Sequence, residues 1–257
     1  MKAVILAAGR GGRLSKVTGD LPKCLARVGA TTLLERQIGA LRTQGITEIV
    51  VVAGHRTNDV RRVCGPGVQL VQNPDYATTN SLYSLWLARH VITGNLIVLN
   101  SDVFFHPQLL SDLLTARYQD ALLMCARGDD RYSDEEMKVR VRAGRVVEIS
   151  KTIELARSDG ENVGIVKFGV KGARVLFEEV TRLVPTMRGA WFPAALQAFC
   201  ERRSLFVVET RGFPWIEIDC PEDYWHACTH VLPQVDAAAI PGGVGPIARG
   251  SRATDHL

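Results

Sequence analysis

A short apolar run at the start of the chain leads into Ala7-Ala8-Gly9-Arg10-Gly11-Gly12-Arg13-Leu14, with Lys23, behind Pro22, ten residues after Arg13. A glycine-rich turn at a strand's carboxyl end lets backbone N–H groups approach an anion with no Cβ in the way. Arg13 adds a planar, multi-donor group suited to phosphate oxygens, and Lys23 a point charge where negative charge grows during phosphoryl transfer. The glycines alone fit a solvated surface turn equally well. Joined to Arg13 and Pro22-Lys23, they point to a triphosphate held by Ala8, Gly9, Gly11, Gly12, Arg13 and Lys23. Two other phosphate loops do not apply. Leu14 stands where the dinucleotide fingerprint has its last glycine, and Gly-Lys-Ser/Thr is absent.

Two aspartates follow apolar strands. Asp102 comes after Leu96–Leu99 through Asn100-Ser101, and Asp219 after Trp215-Ile216-Glu217-Ile218. A carboxylate at such a strand end can hold Mg²⁺, which takes a few carboxylates together with phosphate oxygens and water. Asp102 could instead cap the following helix. Asp219 could be a helix N-cap, two residues before Pro221 and three before Glu222. Strand alternation puts Glu217 on the same side as Asp219. Mg²⁺ held by Asp102 and Asp219 would bridge an α-phosphate to departing pyrophosphate, with no covalent intermediate.

Asn80 and Ser81, in Thr78-Thr79-Asn80-Ser81-Leu82-Tyr83-Ser84, either cap a helix or contact base and ribose. Tyr83, Lys151, Trp191, Trp215 and Glu217 are candidates for the acceptor. Lys151 could clamp a second anion, and the aromatic faces, with Tyr132 and Phe213, attract an amine; each could equally be a packing or surface residue. The six histidines show no ligand spacing, and no Ser-His-Asp or Cys-His set can be assigned. Cys24 is expected to be buried and inert.

The elements that must carry these residues are legible in the first half. Lys2–Leu6 reads as a strand, and Thr32-Leu33-Leu34-Glu35 as a capping box opening a helix with Leu34, Ile38 and Leu41 on one face. Strands follow at 49–52 and 68–71, then a helix carrying Leu82, Leu85 and Trp86, and then the unbroken apolar strand 96–99 of a buried parallel sheet. Residues 138–141 and 145–149 flank a short turn and predict a hairpin. A strand at 163–168, a helix at 190–200, strands at 205–209 and 215–218, and a helix from Pro221 towards Val231 complete a mixed sheet. From Leu232 the sequence becomes Pro/Gly/Ala-rich, so residues 1–231 read as one domain and 232–257 as a tail or linker.

Composition narrows the class. Apolar residues are 46% and charged residues 23%, and no apolar run is long enough to span a membrane. Lysine and arginine number 31 against 27 acids, a net +4 that suits small anions and makes no case for nucleic acid. The six scattered cysteines, in a chain that can bury a real core, are expected to be reduced in a cytoplasmic protein. The reading admits a homodimer, and a further domain fused beyond the tail.

Taken together, these segments resemble the sugar-phosphate nucleotidyltransferases. The residues that carry the likeness are Leu6–Leu14, Thr18 and Pro22-Lys23-Cys24-Leu25. Within that superfamily the chain is most similar to choline-phosphate cytidylyltransferases and their phosphonate-using relatives. The marks of that subgroup are Asn73-Pro74-Asp75-Tyr76, Asn80–Leu85, Asn100-Ser101-Asp102-Val103, Glu161–Ile165 and Trp215–Asp219. The resemblance implies a Rossmann-like α/β/α sandwich with a mixed, mainly parallel central sheet and a small antiparallel portion. It also implies Mg²⁺-dependent transfer of CMP from CTP to a small phosphate or phosphonate acceptor, of the phosphocholine, 2-aminoethylphosphonate or 2-hydroxyethylphosphonate type. Gly11, Arg13 and Lys23 then match triphosphate-holding positions, Asp102 and Asp219 the metal acids, and Lys151 a lysine that contacts the acceptor phosphate. Gly12 departs from the pattern, which has serine or threonine there. Two other readings stand beside this one: a hexose-1-phosphate uridylyl- or thymidylyltransferase, and a catalytically silent nucleotide-binding domain.

Overall fold

The computed structural model describes residues 1–127 and 136–238. The chain opens with β1 (Lys2–Ala7), the glycine loop, a single helical turn α1 (Ser15–Thr18) and a small hairpin of β2 (Arg27–Val28) and β3 (Thr31–Thr32). Then come α2 (Leu33–Thr43), β4 (Glu48–Ala53), α3 (Thr57–Cys64), β5 (Val68–Gln72) and α4 (Ser81–Leu87). They are followed by β6 (Leu96–Asn100), β7 (Val103–Phe105), α5 (Pro107–Thr115) and β8 (Ala121–Ala126). The hairpin of β9 (Lys138–Arg142) and β10 (Arg145–Ser150) precedes β11 (Gly160–Phe168), α6 (Val170–Met187) and α7 (Pro193–Arg202). Last are β12 (Phe206–Glu209), β13 (Trp215–Glu217), α8 (Pro221–His226) and α9 (Leu232–Ala238).

Nine strands form one sheet in the order β5-β4-β1-β6-β11-β8-β12-β10-β9. Only β10 and β11 run against the others. The antiparallel strand β11 therefore lies in the middle of the sheet, and β9 also pairs with its first residues, curling that side back on itself. Alternation along β1 builds the sandwich. Val4 and Leu6 enter a core with Leu82 of α4, Leu176 and Val180 of α6, and Phe199 of α7. Ala3 and Ile5 face the opposite way, onto Leu34 and Ile38 of α2, Val60 of α3 and Leu109 of α5. Strands covered on both faces need apolar residues at every position, which is why Leu96–Leu99 is unbroken. Each fully buried leucine, isoleucine or valine contributes roughly 1.5–3 kcal/mol.

The capping box of α2 forms as the sequence predicts. The Glu35 N–H donates to Thr32 Oγ1 at 3.2 Å, and the Thr32 N–H donates to Glu35 Oε2 at 2.7 Å. Thr32→Ala is expected to lower unfolding stability by about 1 kcal/mol in urea titrations.

Helical structure continues past Leu232, where the composition changes. A π-helical turn, Ala227–Val231, carries the helix from α8 into α9, which reaches Ala238. Val231 and Val235 are buried against Leu14, Val28 and Ile218. That apolar stripe continues across the predicted boundary at Leu232 and keeps the chain helical there. The helix predicted at 190–200 starts at Pro193, whose fixed φ suits a first helical position.

Candidate active site

β1, β4 and β6 are parallel and in register, so their carboxyl ends share one edge of the sheet. The glycine loop leaves β1 there, and the turn carrying Asp102 leaves β6. Gly11 has φ 70°, and an added Cβ would stand 2.3 Å from Lys23 Cγ. Glycine is needed twice over, for the left-handed backbone and for the passage of the lysine side chain. Lys23 Nζ lies 3.2 Å from Asp102 Oδ2 and also pairs with Asp219 Oδ1. Arg13 reaches the other oxygen of Asp219 at 2.5 Å.

The two aspartates meet through a short ribbon in which β13 pairs antiparallel with β7, setting Glu217 opposite Val103. The Ile218 N–H then donates to the Asp102 carbonyl at 3.0 Å. Gln37, buried on α2, braces the same turn by donating to the carbonyls of Asn100 (2.9 Å) and Val103 (2.8 Å). Neither aspartate caps a helix. His106 caps α5, its Nδ1 accepting from the Gln108 N–H at 3.1 Å. Cys220 caps α8, with Asp223 accepting from the Asp219 and Cys220 N–H groups at 2.9 Å each. With Pro221 fixing the first helical position, the capping role passes to these neighbours and the Asp219 carboxylate faces Lys23 and Arg13.

One oxygen each from Asp102, Glu217 and Asp219 lie within 4.8 Å of one another, the only such cluster among the described residues. Asp102 Oδ1 is buried and has no hydrogen-bond partner. Burial opposes the Lys23 ammonium, yet the charges of Asp102 and Asp219 outweigh it and raise its pKa. Burial likewise opposes the Asp219 carboxylate, but Lys23, Arg13 and Lys151 together hold its pKa down. At Glu217 the Lys23 charge is outweighed: burial first, then the charges of Asp102 and Asp219, push it up to about 8. A triad of acids with an unsatisfied buried oxygen is chemically suited to a small hard cation.

Around this centre runs an open cleft of about 590 Å³. The structure brings Ala8, Gly9, Gly11, Arg13, Lys23, Asn80, Ser81, Asp102, Lys151, Trp191, Glu217 and Asp219 to its walls. Asn80 and Ser81 also have local duties. Asn80 Oδ1 accepts from the Ser81 N–H at 2.8 Å as the cap of α4, and Ser81 Oγ accepts from the Phe192 N–H at 2.7 Å. Trp191 is 51% exposed, with Lys151 Nζ 4.8 Å from its ring centre. Buried Lys138 donates to the Lys151 carbonyl at 2.8 Å and pins that backbone.

Gly12, Tyr83 and Trp215 do not line the cleft. Tyr83 stacks on Trp86 and donates to Asp75 at 3.1 Å, while Trp215 packs between the sheet and its helices. Phe213 stacks on His106, and Tyr132 falls outside the described residues. Cys24 is buried, and burial raises its thiol pKa. The cleft is completed by residues to which no role is given from sequence, among them Asn73, Tyr76, Asn100, Glu136 and Asn162. Four of these sit inside the segments that carry the family likeness; Glu136 has no motif around it. Next to Asn162, burial and the charge of Glu136 push Glu161 up to about 9.

A sheet edge that sets a glycine loop and two cations against three acids is built to handle phosphoanions. Residues 3–212 match the MobA-like NTP transferase domain, and the chain belongs to that family of nucleotidyltransferases. It is 32% identical over 253 residues to a bifunctional IPC transferase and DIPP synthase of Rubrobacter xylanophilus, a match covering 96% of this chain. The chain spans only 55% of that relative's length. It is 30% identical over 205 residues to a choline-phosphate cytidylyltransferase of Streptococcus pneumoniae, covering 70% of this chain and 89% of the relative. The solved structure of CTP:phosphocholine cytidylyltransferase from Streptococcus pneumoniae superposes with a TM-score of 0.71 at 24% identity, covering 88% of this chain and 97% of that one. That likeness is one of fold: a Rossmann-like α/β/α sandwich.

Proposed function

We propose that the chain transfers CMP from CTP to a small phosphate- or phosphonate-bearing acceptor, releasing pyrophosphate, with Mg²⁺ bound by Asp102 and Asp219 and faced by Glu217. The observation that carries this reading is Lys23, threaded past Gly11 and paired with both aspartates, so that the anion loop and the acid cluster form one centre. The cytidylyltransferases among its relatives support the choice of nucleotide.

In this reading the backbone of Ala8, Gly9 and Gly11 and the Arg13 guanidinium hold the β- and γ-phosphates. Lys23 leaves the aspartates for the α-phosphate and stabilises charge there as the bond to pyrophosphate breaks. The metal, when bound, neutralises phosphate charge and aligns the departing group. Asn80 and Ser81 face the nucleoside. Lys151 beside Trp191 orients the acceptor's phosphorus group, whose oxygen is already ionised near neutral pH and attacks without a general base.

Pyrophosphate release is the test, with Mg²⁺, crossing CTP, UTP, dTTP, ATP and GTP against phosphocholine, aminoethylphosphonate, hydroxyethylphosphonate and hexose 1-phosphates. CTP with a member of the first three acceptor types is expected to be the productive pair. Release only from UTP or dTTP with a sugar phosphate would overturn the proposal, and no release from any pair would point to a silent domain. In the same assay Gly11→Ala is expected to lower kcat/KM for CTP by about 10- to 100-fold, because strained backbone and a displaced Lys23 act together.

A further inference from the structure

His55, just beyond β4, holds both ends of the segment that runs from the glycine loop through α1. At the loop's start, the His55 N–H donates to the Ala8 carbonyl at 3.1 Å. Beyond α1, His55 Nε2 lies 2.7 Å from the Asp20 carbonyl and 3.2 Å from Asp20 Oδ1. A carbonyl only accepts, so Nε2 carries the proton. Nδ1 is then free to accept from the Tyr76 hydroxyl, 3.5 Å away, and Tyr76 lines the cleft. The flanking residues are shaped to this grip. A Cβ on Gly54 would stand 2.6 Å from the Ala8 carbonyl and 2.4 Å from Tyr76 Cβ. Arg56 adopts a left-handed φ of 50° and places its guanidinium 3.2 Å from Asp20 Oδ2. Left-handed backbone is unfavourable for a residue with a side chain, so the surrounding contacts must hold it.

We propose that His55 is a positioning residue for the nucleotide. By tying Ala8 to Asp20, it closes the segment between them into its binding shape before the triphosphate arrives. The imidazole touches no reacting atom; its effect reaches the nucleotide through the backbone of Gly9 and Gly11 and through Arg13. Ordering this segment in advance removes a conformational cost that the nucleotide would otherwise bear. The nature of the ligand rests on the function proposed above, while the closure of the loop does not.

His55→Ala and His55→Gln separate these points, with amide hydrogen exchange measured without nucleotide and CTP affinity measured calorimetrically with Mg²⁺. In His55→Ala, exchange within 9–20 should quicken about tenfold or more while β1, β4 and β6 stay protected, and the Kd for CTP should rise about tenfold. His55→Gln, whose amide N–H can still donate to the Asp20 carbonyl, should recover most of both. Unchanged loop exchange in His55→Ala would overturn the proposal. So would faster exchange across the whole sheet with no recovery by glutamine, which marks a general packing role. A wild-type protein that binds no CTP would sink the proposed function, and the exchange measurements would still decide the clamp.

Discussion

Asp219→Ala is expected to lower kcat for pyrophosphate release by about 10³-fold, with a circular dichroism spectrum and Tm close to wild type. The carboxylate does two things at once: it offers an oxygen to the acid cluster, and it meets both Lys23 and Arg13. Its removal takes one oxygen from the acid cluster and leaves two cations with one anchor fewer. Under the proposed function the loss should fall on kcat rather than on KM for CTP, because Arg13 and the loop backbone would still hold the triphosphate while its reacting end is misaligned. Stability should change little, since the side chain is partly open to solvent and its ion pairs are screened. Asp102→Ala should behave alike in turnover. Either variant keeping more than about a tenth of wild-type kcat would remove that residue from the proposed metal site.

Lys23→Met is expected to cost about 10²- to 10³-fold in kcat, the range found when one preorganised charge donor is lost from a transition state. Methionine keeps a side chain of similar length against Gly11, so the comparison isolates the charge. The substitution also leaves Asp102, Glu217 and Asp219 facing one another without the ammonium that joins the two aspartates, Arg13 still pairing with Asp219. Lys23→Arg should not restore activity. The guanidinium is broader than an ammonium, and the passage beside Gly11 is filled by the lysine stem. Steady-state kinetics of all three proteins with CTP would decide this; full activity in the arginine variant would show that charge alone suffices.

The parts of the site that sequence reasoning reaches are those whose chemistry is local. The glycine loop, Pro22-Lys23 and the alternation placing Glu217 beside Asp219 are short-range patterns, and the structure brings these residues together. The capping box of α2 and the β9–β10 hairpin are local in the same sense. The misses have equally physical causes. No element is assigned from sequence to residues 107–126 or 170–187, where α5, β8 and α6 lie. α6 contains Gly172 and Pro185, both poor helix residues. Gly172 is there because a Cβ would collide with the buried Asp120 carboxylate, a contact made across the fold. Trp215 and Tyr83 look like pocket aromatics in sequence, yet packing turns them into the core and onto Trp86. Asn73, Asn100 and Gln37 act through backbone turns and helices that only the assembled sheet brings near. The order of strands, with an antiparallel strand in the middle, has no counterpart in local pattern.

The β7–β13 ribbon has a consequence for how the enzyme comes into being. Lys23 and Asp219 are 196 positions apart, and Arg13 and Asp219 are 206 apart. A chain leaving the ribosome displays its anion loop early and Asp102 midway, but the partner of both arrives only after β13 has emerged. Contacts of such long sequence separation form late, because the closure entropy must be met before they contribute. Nascent forms, and forms cut before β13, therefore hold Arg13 and Lys23 without Asp219, and the acid cluster is complete only when β13 has docked.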